Sequence, residues 1–258
     1  MTDSITWLHL SDLHYCETRT GWDASRVLST LRQDLKKMQS DHGLQPDLIF
    51  FTGDAAFGQI GNGRGESIRE QFEGAARFFD DVRKAFDKEV PLENFFLVPG
   101  NHDVNRQNVT EDQVWWLDSQ ADASKVLSMI HGNTLQWRRC LERLCSYRTF
   151  LEQNYPHLLQ DPDRLIYALT RNVRDYKINV VGLNSAWSCC RDNEKGKLWM
   201  AARWQIEHLI SALELPDLSI ALMHHPSNWL GEHEDPQFGR QVERDFDFSL
   251  HGHEHQDW

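Results

Sequence analysis

Five clusters of Asp, Asn and His in this chain each sit where an apolar, strand-like run stops. Asp12 and His14 follow Ile5–Leu10, Asp54 follows Leu48–Thr52, and Gly100-Asn101-His102-Asp103 follows Asn94–Pro99. His224 follows Leu218–Met223, and His253 and His255 follow Phe246–Leu250. Carboxylate, amide and imidazole groups hold divalent cations, and two such cations about 3.5–4 Å apart need a carboxylate to bridge them. Asp54, a carboxylate after a glycine at a strand end, suits the bridge. Asp12 and His14 are two apart on an extended segment, so the pleat sends both to one side to grip one ion. His253 and His255 repeat that spacing, with Gly252 giving the backbone room to turn, while Asn101 offers a neutral amide oxygen and His224 an imidazole. Any one cluster reads as a surface or core pair. Five of them closing five strands require a fold that brings the strand ends together.

The elements that must do this positioning alternate. Ile5–Leu10, Asp47–Thr52 and the run up to Pro99 are the first three expected strands, separated by helices over Ala24–Gln39 and about Ser67–Phe86. Val27, Leu28, Leu31, Leu35 and Met38 give the first helix its apolar face, and Gly43 and Pro46 end it. Strand, helix, strand, helix, strand implies parallel pairing through right-handed crossovers. The glycine-rich loop (Gly58, Gly61, Gly63, Gly65) lacks a G-K-[ST] ending and reads as a surface loop, not a nucleotide cradle.

From about Thr110 to Pro156 the pattern turns helical: Asp112–Ser119, Ala121–Ile130 and Leu135–Leu151, with Trp115, Trp116 and Trp137 among them. We expect a helical insertion at about 110–160 whose tryptophans fill its own small core; an aromatic platform for substrate bases is the alternative. Attached beside the central motif, it would roof the site and control access without supporting the main core. Arg164–Thr170 and Tyr176–Leu183 then predict a hairpin opening a second sheet, followed by a helix over Leu198–Leu213, the Leu218–Met223 strand, a short helix over Gln237–Arg244 and the last strand.

With 258 residues the chain suits one main α/β domain. Its 40% hydrophobic and 26% charged residues are ordinary for a globular protein, and no apolar run reaches the length of a membrane span. Met1-Thr-Asp-Ser has neither the basic nor the apolar region of a signal peptide, which predicts a cytoplasmic protein without membrane partners. Five cysteines, an odd count without a C-x-x-C pair, predict reduced thiols. The net charge of -12 argues against broad coating of nucleic acid, yet carboxylates held by metals leave room for a phosphate ester in the site.

In their order, Asp12-Leu-His14, Gly53-Asp54, Gly100-Asn-His-Asp103, His224-His-Pro226 and Gly252-His-Glu-His255 resemble the calcineurin-like metallophosphoesterase superfamily, from residue 5 to 255. The resemblance implies a four-layer α-β-β-α sandwich of two mixed sheets, with the helical insertion outside it. It implies two divalent metal ions, one held by Asp12, His14, Asp54 and His255, the other by Asp54, Asn101, His224 and His253. His224 is taken over His225 because the family pattern puts the ligand two before the proline, with His225 the alternative. His102 matches the family's catalytic histidine, stabilising or protonating the leaving oxygen, and Asp103 is placed to orient its ring. The resemblance further implies that a metal-bound hydroxide attacks phosphorus, with no protein nucleophile. Mixed Asp, Asn and His ligands suit manganese, with iron or zinc as alternatives, better than calcium.

The substrate class is open between phosphodiesters, of nucleic acid or nucleotides, and phosphomonoesters or phosphoproteins. Leu8-His-Leu-Ser-Asp-Leu-His14 and Val98-Pro-Gly-Asn-His-Asp-Val104 resemble the bacterial phosphodiesterase and nuclease branches more than protein phosphatases, which favours the diester. An inactive binding module is a further alternative; its mark would be a missing ligand, and every ligand position is filled. His9 reads as a strand histidine, and His42, His131, His157 and His208 as exposed ones. Arg106 is either a phosphate contact or a surface arginine. Family members continue past Gly-x-His with strands that finish the second sheet, so this chain is expected to be the N-terminal module of a longer protein, with a possible fused C-terminal sensor or assembly module.

Overall fold

In the computed structural model, which describes residues 4–19, 24–59, 65–211 and 213–254, strands β1 (Trp7–Leu10), β2 (Leu48–Phe51) and β3 (Phe95–Leu97) pair in that order, all parallel. His255 and, in the glycine-rich loop, Gly61 and Gly63 lie outside the described residues. The Leu-Ile-Phe-Phe of β2 is buried throughout, as a central parallel strand covered on both faces must be. Helix α1 (Ala24–His42) and helix α2 (Ile68–Arg83) make the crossovers. A capping box starts α2, with Ser67 and Glu70 each accepting from the other's backbone N–H. Phe79 of α2 packs on Phe51 and Phe95, with ring centroids 4.5 and 5.3 Å apart. The alternation of strand and helix predicts this parallel pairing, while the family resemblance implied a mixed sheet here. The described strands are parallel because a helix makes each return.

The insertion forms α3 (Glu111–Ser119), α4 (Ala123–His131), α5 (Leu135–Glu142) and α6 (Cys145–Asn154). The expected single helix over Leu135–Leu151 breaks at Arg143, a fully buried cation. Its guanidinium donates to the carbonyls of Cys140, Trp187 and Cys189, and its own carbonyl accepts from Asn105 N at 2.8 Å. The break thus ties the insertion to the loop after β3 and to the segment around residue 188.

Strands β4 (Tyr167–Val173) and β5 (Tyr176–Gly182) form the predicted hairpin; β6 (Leu218–Leu222) and β7 (Phe248–Leu250) add to it in parallel, completing a mixed sheet in the order β4-β5-β6-β7. Helix α7 (Ala202–Ile210) packs on β4 and β5 and against α8 (Asp235–Asp245). The two sheets meet through Phe96 and Tyr167, 6.3 Å between centroids, and through Trp7 and Phe248, 5.1 Å. The layers are helix, sheet, sheet, helix. No helix of the described residues is long and apolar enough to cross a membrane.

The insertion does not carry a core of its own. Val126, Ile130, Trp137, Leu144, Tyr147 and Phe150 join one continuous cluster with residues of both sheets. Phe150 stacks on Phe72 of α2 at 5.0 Å, and Trp137 meets Trp187 at 5.0 Å while its indole N–H donates to Asp163 O. A roof that could be removed without disturbing the sheets is therefore ruled out by packing. Trp137 is fully buried whereas Trp115 is 58% exposed. Trp137→Ala is expected to cost about 3–5 kcal/mol and Trp115→Ala no more than about 0.5 kcal/mol, measured as shifts of the urea midpoint.

Candidate metal centre

The loops after β1 and β2 run side by side, joined by Asp12 N–Gly53 O, His14 N–Asp54 O and Tyr15 N–Ala55 O bonds of 3.0 Å each. Asp12, His14, Asp54 and His253 all adopt left-handed backbone, with φ of 56°, 47°, 60° and 72°. Side chains other than glycine avoid this region at roughly 1–2 kcal/mol each, so its recurrence at these positions marks backbone bent to aim side chains. Asp12 and His14 therefore converge through left-handed turns and not, as expected, through the pleat of an extended segment. Two glycines make the crowding possible. A Cβ on Gly53 would lie 2.5 Å from His224 Nδ1, and one on Gly100 would lie 2.1 Å from Asp54 Oδ1.

Around His224 Nε2 lie Asn101 Oδ1 at 3.0 Å, His253 Nδ1 at 3.1 Å and Asp54 Oδ2 at 3.2 Å. On the other side of the same Asp54 oxygen, His14 Nε2 stands at 3.8 Å, and 3.8 Å also from Asp12 Oδ1. Ligand distances of about 2.1 Å put neighbouring donors roughly 3 Å apart around a six-coordinate ion, and the first set has that spacing. Asp12, Asp54 and His224 form one group able to hold a metal ion, and His14, Asp54 and His102 another. Asp54 is common to these two, and His224, His225 and His253 form a third. Asp54 Oδ1 is committed elsewhere, accepting from His102 N at 2.8 Å, which leaves Oδ2 to face both sides. The donors fit two divalent cations, and six of the seven expected ligands come together; the seventh, His255, falls outside the described residues.

A hydrogen bond fixes the His224 ring in the orientation a metal ligand would need. His224 Nδ1 donates to Thr52 O at 2.7 Å, leaving the Nε2 lone pair toward Asn101 and Asp54. Burial opposes charge on His224, but Asp54 outweighs it and raises the imidazole to about 9. A cation would compete with that proton for one lone pair. Burial likewise pushes the Asp54 carboxyl up, and His224, His102 and His14 together bring it below the usual range. His225, also buried, is taken up differently. Its Nδ1 lies 2.9 Å from Ser185 Oγ and its Nε2 3.8 Å from Cys189 Sγ, so the ring next to Asp54 and Asn101 is that of His224.

Asp103 does not orient His102. Its carboxylate accepts from three backbone N–H groups, those of Asp54 (3.0 Å), Ala56 (2.9 Å) and Gly100 (2.8 Å), and locks together the loops after β2 and β3. Burial and the nearby Asp54 charge push its carboxyl up to about 7 against those donors. The partner of His102 Nδ1 is the carbonyl of Phe57, 2.5 Å away. Asp103→Ala leaves three buried donors unmatched and is expected to lower stability by at least about 3 kcal/mol, with Asp103→Asn intermediate, read from denaturant unfolding.

The remaining expectations divide. Arg106 pairs with Asp192. His9 Nε2 bonds Thr52 Oγ1 at 2.9 Å within the sheet, and His42, His131 and His208 are exposed as expected. His157 is half-buried, its Nε2 3.1 Å from Phe95 O, because the turn after α6 folds back on β3. Sequence reasoning missed Trp229, whose ring centroid lies 4.0 Å from that of His253, although its place three residues after His224-His-Pro226 was a usable signal.

Residues 5–257 match the family described as calcineurin-like phosphoesterase. No curated protein matches the chain.

Proposed function

The chain belongs to the calcineurin-like phosphoesterase family, a family of metal-dependent hydrolases of phosphoric esters, and we propose that its substrates are phosphodiesters of nucleic acid or nucleotides. The observation that carries the metal chemistry is the single Asp54 oxygen, Oδ2, shared between His224 Nε2 at 3.2 Å and His14 Nε2 at 3.8 Å. Asp12, His14 and Asp54, with His255, would hold one cation, and Asp54, Asn101, His224 and His253 the other. Such cations, manganese first and iron or zinc next, acidify bound water and neutralise charge on phosphoryl oxygens.

The protein's own groups do the rest. Asp54 Oδ1 fixes the His102 backbone, and the Phe57 carbonyl fixes its ring. With Nδ1–H given to that carbonyl, a proton on Nε2 is the one His102 can deliver to the departing oxygen. The ring sits against His14, 4.5 Å between centroids, and so beside the ligands. Two described arginines of the neighbouring loops are paired with carboxylates, Arg106 with Asp192 and Arg191 with Asp118 at 2.8 Å. Arginines engaged in this way offer less to a dianionic monoester than free ones would, which supports the monoanionic diester.

Elemental analysis is expected to find two divalent ions per chain. Turnover of bis-p-nitrophenyl phosphate should exceed that of p-nitrophenyl phosphate in kcat/KM. The reverse order supports a phosphomonoesterase or protein phosphatase; no turnover of either supports an inactive binding module.

A further inference from the structure

The segment between Trp187 and Leu198 is built to hold its shape at the mouth of the site. Arg143 donates to the carbonyls of Trp187 and Cys189, and the buried Glu194 accepts from the N–H groups of Cys190 (2.6 Å) and Arg191 (3.1 Å). Its far end is stitched to the turn after His224-His225-Pro226: Gly196 N and Leu198 N donate to Trp229 O at 3.1 and 3.3 Å, and Gly231 N donates to Leu198 O at 2.9 Å. This stitching sets Lys195 against Trp229, with the ammonium 5.8 Å from the ring centroid. Trp229 in turn stands perpendicular to His253, at an interplanar angle of 89°.

We propose that Trp229 and Lys195 form a subsite for the nucleotide unit next to the scissile phosphate, an inference that rests on the phosphodiesterase reading above. Trp137 and Trp187 are fully enclosed, whereas Trp229 packs one part of its ring on the core and stays half-buried, at the end of a short turn beside a candidate ligand. Unlike the rim arginines, Lys195 is loosely engaged. Its side chain is 57% exposed and its carboxylate partner, Glu254, lies 3.8 Å away. A flat indole with an exposed ammonium over it, 5.8 Å from its centroid and free to swing aside, matches a nucleotide's two handles, the base that stacks and the phosphate that carries charge. An aliphatic phosphate ester or a phosphorylated serine offers the charge but no base to stack.

The test is calorimetric binding of adenosine 5′-monophosphate and of orthophosphate to the metal-loaded protein, which needs no turnover. The wild type should bind the nucleotide more tightly than orthophosphate. In Trp229→Ala the ratio of the two affinities should fall by about 5- to 150-fold, the range for one stacked base, and in Trp229→Phe it should largely return. With a short oligothymidylate, Lys195→Ala should reduce the slope of log affinity against log salt by about one. An unchanged ratio in Trp229→Ala, or equal affinity of the wild type for both ligands, overturns the subsite while leaving the phosphodiesterase reading standing. Failure of the wild type to bind the nucleotide, in a protein that turns over bis-p-nitrophenyl phosphate, also overturns the subsite alone; absence of that turnover overturns the phosphodiesterase reading and the subsite with it.

Discussion

Asp54→Asn is expected to reduce turnover by about 10³-fold or more, the scale of several kcal/mol of lost charge stabilisation, and to leave fewer than two metal ions per chain. The substitution is close to isosteric, and asparagine accepts left-handed backbone readily, so the φ of 60° at this position is kept without new strain. The amide oxygen can take the place of Oδ1 and still accept from His102 N. The amide nitrogen then replaces Oδ2, pointing two hydrogens and no lone pair at His224 Nε2 and His14 Nε2. One atom is exchanged and both metal sites lose their common donor. Elemental analysis beside a denaturation curve separates this from misfolding: an Asp54→Asn protein that folds normally, holds two ions and turns over at the wild-type rate would remove Asp54 from the bridge.

That six of the seven candidate ligand positions come together could be read from the sequence because each is a polar side chain placed where an apolar strand ends, and strands of a parallel sheet end on one edge. What escaped the sequence is carried by groups with no sequence signature. The Phe57 carbonyl that fixes the His102 ring belongs to the backbone, and any residue could supply it. Asp103 reads as a partner for its neighbour in the chain, yet three N–H groups from two loops surround its carboxylate first. Arg143, in the middle of an apparent helix, breaks that helix by reaching carbonyls more than forty residues away. The tryptophans of the insertion were legible as tryptophans but not by depth. Trp137 lies in the shared core, Trp115 in solvent, and the tryptophan that touches a candidate ligand, Trp229, lies outside the insertion.

His102→Ala should behave in the opposite way to Asp54→Asn, keeping its metals and losing rate. The bond from position 102 to Asp54 Oδ1 is made by the backbone N–H, at 2.8 Å, and survives removal of the ring. The donors around His224 Nε2 come from Asn101, Asp54 and His253, at 3.0, 3.2 and 3.1 Å, and the His102 ring is not one of them. Lost instead are the imidazole's bond to Phe57 O and the proton it can deliver. Turnover is expected to fall by roughly 10²–10⁴, the range for a missing general acid. The fall should depend on the leaving group: p-nitrophenolate departs without a proton and suffers little, whereas the alkoxide of a nucleoside needs one and suffers fully. Because His14, Asp54 and His102 also form a group able to hold an ion, metal analysis of the variant is decisive. If an ion is lost, or both leaving groups slow equally, His102 is a ligand and some other group supplies the proton.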